Sequence, residues 1–156
     1  MTEKNGAGPR CAALVGPYLS GKTTLLESLL FAAGTIHRKG SIKDGNTTGD
    51  SAPEARHRMM SVELNVAHAE YLGDAWTLLD CPGSIELTQE AQNALMAVDA
   101  AVVVCEPEAQ KALTVAPLLK FLDDHAIPHM LFINKMDHCN ERIRDILEAL
   151  QALLVA

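Results

Sequence analysis

The chain has no apolar run long enough to cross a membrane. Its longest, AAVVVC (Ala100 to Cys105), falls far short of the roughly 20 residues a spanning helix needs. The opening MTEKNGAGPR lacks the apolar core of a secretory signal, so no membrane partner is expected. Cys11, Cys81, Cys105 and Cys139 contain no Cys-x-x-Cys pair, and two of them sit in apolar strand-like runs. They read as reduced thiols of a cytoplasmic protein. Positive charge is also scarce. The net charge of −7 argues against a general affinity for nucleic acid or anionic membranes, and no direct sequence-specific nucleic-acid contact is expected. Internal repeats and low-complexity segments are absent.

What is present is an ordinary globular balance. The 156 residues are 48% hydrophobic and 21% charged, which suits one domain with a real core. Residues 1–9 read as a flexible polar lead and residues 10–156 as the folded unit. RCAALVG reads as a short buried strand ending on glycine. GKTTLLESLLFAAG places Leu25, Leu26, Leu29 and Leu30 on one helical face, with Gly34 as the stop. From Thr35 to Met60 no period is visible, and a loop of that length in a compact domain is usually functional.

SVELNVAHAEY alternates Val62, Leu64 and Val66 against Glu63 and Asn65, the pattern of a half-exposed strand. Gly73-Asp74 is the expected hairpin turn into AWTLLD. A helix is then expected over about Glu86 to Val98, a strand over Ala100 to Cys105, and a helix over about Glu108 to Asp124 bent at Pro117. HMLFIN is a further buried strand, and Ile143, Ile146, Leu147, Leu150, Leu153 and Leu154 recur at helical spacing. Such alternation predicts an α/β fold: a mainly parallel sheet with helices on both faces and one antiparallel edge.

Three motifs follow three of these strands. GPYLSGKT, Gly16 to Thr23, matches G-x-x-x-x-G-K-[ST]. Its glycines let the chain curl so that amides from about Leu19 to Thr24 point at phosphate oxygens, through Ser20, Gly21 and Lys22, beside a helix N-terminus. Lys22 brings an ammonium to the β- and γ-phosphates, and the Thr23 hydroxyl is a hard ligand for Mg²⁺. Asp80-Cys-Pro-Gly83 supplies a carboxylate for a Mg²⁺-bound water and a Gly83 amide that meets a γ-phosphate with no Cβ in the way. In NKMD, the Asp137 carboxylate accepts from N1–H and the exocyclic amine of guanine, a pattern adenine does not offer. The Lys135 stem lies along the base plane and Asn134 ties this loop to the first. Each motif is commonplace alone. In this order, each after a strand, they converge on the carboxyl edge of one sheet as a site for GTP or GDP with Mg²⁺.

The chain resembles the G domain of the translational GTPases, most closely elongation factor G, from about Arg10 to about Leu150. GKTTLLESLLFAAGTIHRKGSIKDG, LLDCPGS and LFINKMD carry the resemblance. It implies a P-loop G-domain fold, GTP hydrolysis linked to translation elongation, and the ribosome as partner of a longer chain or assembly. The family's switch I ends in Arg-Gly-Ile-Thr, and at the matching distance from Asp50 this chain has RMMS, Arg58 to Ser61. The resemblance thus makes Ser61 a Mg²⁺ ligand beside Thr23 and Asp80, with Thr47 or Thr48 as competitors.

The chain departs from the family pattern at three places. Leu19 stands where the family's first loop has an aspartate. Ser84 stands where a histidine positions the attacking water, so the catalytic candidates are Lys22, Gly83 and Ser84. A serine hydroxyl is no acid or base near neutral pH, though it hydrogen-bonds water; alternatively Ser84 is a helix N-cap before IELTQEAQNALM, with Glu86 in the first turn. The residues after Asp137 suffice for one helix, so the fold is expected to lack its last strand and helix and to leave HMLFIN as an apolar sheet edge. A truncated or split relative, active or a non-catalytic remnant, is the expectation. His125 and His129 have no third ligand nearby and read as a solvated helix end. His37, Arg38 and Lys39 read as a solvated basic cluster, or one that touches phosphate or ribosomal RNA in a longer context.

Overall fold

The computed structural model describes residues 10–42, 44–48, 63–108, 111, 113–139 and 142–154. The element order is β1 (Arg10–Val15), α1 (Lys22–Ala32), β2 (Asn65–Tyr71), β3 (Asp74–Asp80), α2 (Thr88–Leu95), β4 (Ala100–Cys105), α3 (Ala116–Asp124), β5 (His129–Ile133) and α4 (Ile143–Leu154). Short 3₁₀ turns at Ile85–Leu87 and Leu113–Val115 lead into α2 and α3, and a third spans Met136–His138.

The strands form one sheet in the order β2-β3-β1-β4-β5. Four run parallel, and only β2 is antiparallel, to β3. Register decides where the loops emerge. Leu14 lies opposite Asp80, so the segments after β1 and β3 leave the sheet together. Cys105 lies opposite Ile133, so the segments after β4 and β5 also leave side by side. All four exits face the carboxyl edge, as parallel strands require.

Helices cover both faces because the strands carry apolar residues on both. Ala12, Leu14 and Leu78 meet Leu26 and Leu30 of α1 on one face. Ala13, Val15, Leu79 and Val103 meet Leu95 of α2, Leu119 and Leu122 of α3, and Ile146 of α4 on the other. Burying a side chain such as Leu26 contributes about 1.5–3 kcal/mol. α1 closes in a Schellman arrangement: the Thr35 amide donates to Leu30 O, and Gly34, at φ 74°, donates to Phe31 O.

Several expectations are corrected. The leucine face of α1 is narrower than its sequence suggests: Leu26 and Leu30 are buried, while Leu29 is exposed. Its inward face also carries Lys22, Thr23 and Glu27, which the loops above it cover. The hairpin turn is Leu72-Gly73 rather than Gly73-Asp74, since Tyr71 pairs with Asp74. Both turn residues take positive φ, 53° and 85°, which is the twist a two-residue hairpin needs. Pro117 sits in the first turn of α3 and does not bend it; there its missing N–H costs nothing. The helix expected over Glu86 to Val98 is shorter, a 3₁₀ turn followed by Thr88–Leu95. Val66 is exposed because β2 is an edge strand, while Leu64 packs into the core.

β5 is the other edge among the described residues, with Met130 and Phe132 exposed. Among the described residues no helix is long and apolar enough to cross a membrane. None of them forms a group of three or more His, Cys, Asp or Glu placed to hold a metal. His125 stacks on Phe121 instead, and His129 lies 3.9 Å from Asp123.

Candidate functional site

The loop between β1 and α1 curls through Gly16 (φ 144°), Leu19 (φ 63°) and Gly21 (φ 95°) before Lys22 starts the helix. Its curl closes on the rest of the site. A Cβ on Gly16 would overlap the Val104 carbonyl, and one on Gly21 would overlap the Asn134 amide. Lys22 is almost wholly buried, and its ammonium folds back on Gly16 O and Pro17 O, each at 3.0 Å. The Ser20 hydroxyl is buried and finds no hydrogen-bond partner among the described residues. Leu19 is exposed, and Thr24 is exposed on the first turn of α1.

The second loop begins at Asp80, fully buried at the end of β3. Thr23 Oγ1 donates to Asp80 Oδ2 over 2.6 Å. The Cys81 amide still donates to Leu14 O at 3.1 Å, so the chain leaves the sheet only after Asp80 has been placed beside α1. Burial, and then the charge of Asp80, pushes the Cys81 thiol up to about 12, which makes it an inert core residue. Gly83 abuts the first loop so closely that a Cβ there would overlap Lys22 Nζ and lie 2.9 Å from Gly16 O.

Ser84 has the backbone of a cap (φ −79°, ψ 146°), and its carbonyl accepts from the Leu87 amide at 3.2 Å. Its side chain makes no cap hydrogen bond, which corrects the cap expectation: the hydroxyl is buried with no partner among the described residues.

The third loop leaves β5 beside β4. The Asn134 amide nitrogen donates to Cys105 O at 2.8 Å, and its side-chain Nδ2 donates to Ser20 O at 2.8 Å. Lys135 (φ 57°) donates through Nζ to Leu19 O at 2.6 Å and pairs with Glu106. Asp137 is exposed in the 3₁₀ turn that follows. A cavity of about 340 Å³ lies between the first loop and the Glu106–Lys111 side.

Two carboxylates here went unmarked by motif reading. Glu106 follows β4 and pairs with both Lys135 and Lys111. Glu27 is buried on α1, where its carboxylate accepts from the Gly40 amide at 2.7 Å and from the Thr48 amide. It thereby ties Gly40 and Thr48 to the helix, and Thr47 beside them is buried. Neither has a local signal, since each acquires its role only when a distant loop arrives. Ser61 and the stretch from Arg58 lie outside the described residues. Of the basic cluster, Lys39 reaches Ser28 Oγ at 3.2 Å and lies over the Phe31 ring.

The donor set fits a hard cation: Thr23 Oγ1 and Asp80 Oδ2 are oxygens in contact at the head of a helix. The orphaned Ser20 hydroxyl and the curled amides fit an anion beside it.

The chain is similar to known proteins along nearly its whole length. A family model described as the elongation factor Tu GTP binding domain matches residues 9–156. An elongation factor G-like protein of Synechocystis is 55% identical over 153 residues, covering 98% of this chain and 23% of that protein. Elongation factor G 2 of Streptomyces coelicolor is 31% identical over 118 residues, 76% of this chain and 17% of that one. A crystal structure of a Thermus thermophilus protein superposes with a TM-score of 0.88 at 36% identity, over 96% of this chain and 22% of its own. The chain spans under a quarter of the length of each of these relatives.

Proposed function

Since the chain belongs to the elongation factor Tu GTP-binding domain family, as an elongation factor G-like translational GTPase domain, we propose that it binds GTP and GDP with Mg²⁺ and hydrolyses GTP slowly. The observation that carries this reading is the joining of the three motif loops. Thr23 bonds Asp80 across 57 residues, and Asn134 bonds Ser20 across 114.

Each residue has a role its chemistry allows. Lys22, now spending its ammonium on two carbonyls of its own loop, turns it to the β- and γ-phosphates when they are present. Amides from Leu19 to Thr24 hold the phosphate oxygens, and Gly83 approaches the γ-phosphate from the second loop. Asp137 selects guanine, with the Lys135 stem along the base. The hydroxyls of Thr23 and Ser61 and the Asp80 carboxylate are the groups that would hold Mg²⁺, which supplies charge neutralisation at the phosphates when bound. Ser84 takes no proton at neutral pH; its hydroxyl is confined to hydrogen-bonding a water.

By way of its relatives the reading extends to translation elongation on the ribosome, with turnover raised by that partner, in the cytoplasm. A second reading, a nucleotide-binding module without turnover, is favoured by one observation. The buried Ser84 hydroxyl has no acid or base bonded to it among the described residues.

Titration with fluorescent GDP and GTP, with and without Mg²⁺ and against ATP, tests the proposal. Guanine-selective, Mg²⁺-dependent binding supports it, and no binding at high micromolar nucleotide sinks it. Single-turnover GTP hydrolysis then separates slow enzyme from silent module.

A further inference from the structure

Glu106 leaves β4 just beyond Cys105, and Lys135 leaves β5 two residues beyond Ile133, its register partner. The Leu19 carbonyl completes the triangle. Lys135 Nζ donates to that carbonyl at 2.6 Å and pairs with Glu106 Oε1. The other carboxylate oxygen, Oε2, takes Lys111 Nζ, which also reaches Glu108 Oε1 at 2.9 Å. The carboxylate side chain is 11% exposed, against 38% for Lys135 and 49% for Lys111. Burial alone would raise the Glu106 pKa, but the two ammonium hydrogen bonds outweigh it and hold the carboxyl below its usual range.

The backbone at both ends of this network is unusual. Leu19 and Lys135 both take left-handed φ values, 63° and 57°, which non-glycine residues keep only where surrounding contacts over-determine them. The Lys135–Leu19 hydrogen bond joins the two strained positions, and Glu106 fixes the ammonium that makes it.

We propose that Glu106 is a positioning residue for guanine recognition: through Lys135 it holds the base-facing loop against the Leu19 carbonyl and so sets nucleotide affinity from outside the three motifs. This deepens the nucleotide reading above and rests on it. A lysine stem is long and flexible, so an unheld Lys135 samples many rotamers that binding must then freeze. Held by Glu106, it meets the base already ordered. Lys111, at the outer side of the same carboxylate, keeps the Glu106 charge balanced.

The test uses the full chain as wild type, Glu106→Gln, Lys135→Met and the double variant, each titrated with fluorescent GDP and GTP. Glu106→Gln keeps the side-chain volume and should weaken GDP and GTP by the same factor, about tenfold, because the change lies on the base side. In the Lys135→Met background the same substitution should add less than about twofold, as expected of residues acting through one another. Equal affinity of wild type and Glu106→Gln, or full additivity of the two changes, overturns the proposal.

A second measurement needs no nucleotide. Amine acetylation of Lys135, followed by peptide mass spectrometry, should run about fivefold faster in Glu106→Gln, with exposed Lys120 unchanged. An unchanged Lys135 rate overturns the positioning role. A wild type that binds no guanine nucleotide refutes the functional reading and the affinity effect built on it, while the labelling ratio still decides whether Glu106 holds Lys135.

Discussion

Thr23 Oγ1 and Asp80 Oδ2 are 2.6 Å apart in the protein interior, so the end of the first motif and the start of the second are in direct contact. The Leu14–Asp80 register and the start of α1 at Lys22 bring this about. Removing the hydroxyl with Thr23→Val takes a donor from a buried carboxylate. It should cost about 1.5–3 kcal/mol in urea denaturation of the nucleotide-free chain. It should also abolish the Mg²⁺ dependence of GDP affinity, whereas Thr23→Ser retains both. A Val variant with wild-type stability and wild-type Mg²⁺ response refutes the pairing.

Asp137 stands in an exposed turn two residues past Lys135. Asp137→Asn replaces one acceptor oxygen by a donor amide. Guanine N1–H and amine then lose a matched partner, while xanthine, with a carbonyl in place of the amine, gains one. Competition titration should show preference moving from GDP towards xanthosine diphosphate by about 10²-fold or more. Unchanged preference removes Asp137 from base selection.

The motifs were legible because phosphate binding demands particular residues in a particular order at the ends of strands, and apolar strands declare themselves locally. Coverage on both faces followed from the continuous run AAVVVC, whereas HMLFI, read as a buried strand from an equally continuous run, is an edge strand that leaves Met130 and Phe132 exposed. Features that depend on a distant partner were not legible. Glu27 looks like a solvated helix residue until the Gly40 and Thr48 amides reach it. Glu106 is one of two acids in a Glu-Pro-Glu stretch after a strand until β5 delivers Lys135 beside it. Leu72 accepts φ 53° because the strand pairing of Tyr71 with Asp74 outweighs its own preference. Pro117 is the reverse case: a residue read as an interruption serves as a helix start.

Ser84→Ala removes a hydroxyl that is buried and bonded to nothing among the described residues. A side-chain cap would make that substitution destabilising, typically by about 1 kcal/mol. Here the melting temperature should be unchanged or slightly raised, since deleting an unsatisfied polar atom relieves a desolvation cost. Single-turnover hydrolysis then reports on the water: a fall in rate with unchanged GTP affinity assigns Ser84 to water positioning, and an equal rate removes it from the chemistry. A clear drop in melting temperature contradicts the observed geometry.

Glu27 joins α1 to Gly40 and Thr48 through their amides, and its carboxylate is buried. Glu27→Gln leaves one acceptor and turns the other into a donor that faces an N–H. The expected loss is about 2 kcal/mol in denaturant, from one broken charge-assisted bond and one unsatisfied amide. Limited proteolysis should also cut within 40–48 faster than in the wild type. Equal stability and equal cleavage refute the clamp.

The Glu106 network makes a pH prediction whose sign follows from the direction of its pKa. Burial opposes the charged form, yet the hydrogen bonds from Lys111 and Lys135 win, and the folded-state pKa lies below the usual carboxylate value. A carboxyl depressed on folding contributes stability that is present above its unfolded pKa and is lost as pH falls through its folded one. The melting-temperature gap between wild type and Glu106→Gln should therefore be constant from neutral pH down to the ordinary carboxylate range. It should then close as the solution is made more acid. The exposed lysines, through solvent screening, keep the gap small, so differential scanning fluorimetry of both proteins in parallel buffers is the suitable measurement. A gap that widens in acid would mean that Glu106 is favoured protonated in the fold. That would contradict the two ammonium contacts through which it holds Lys135.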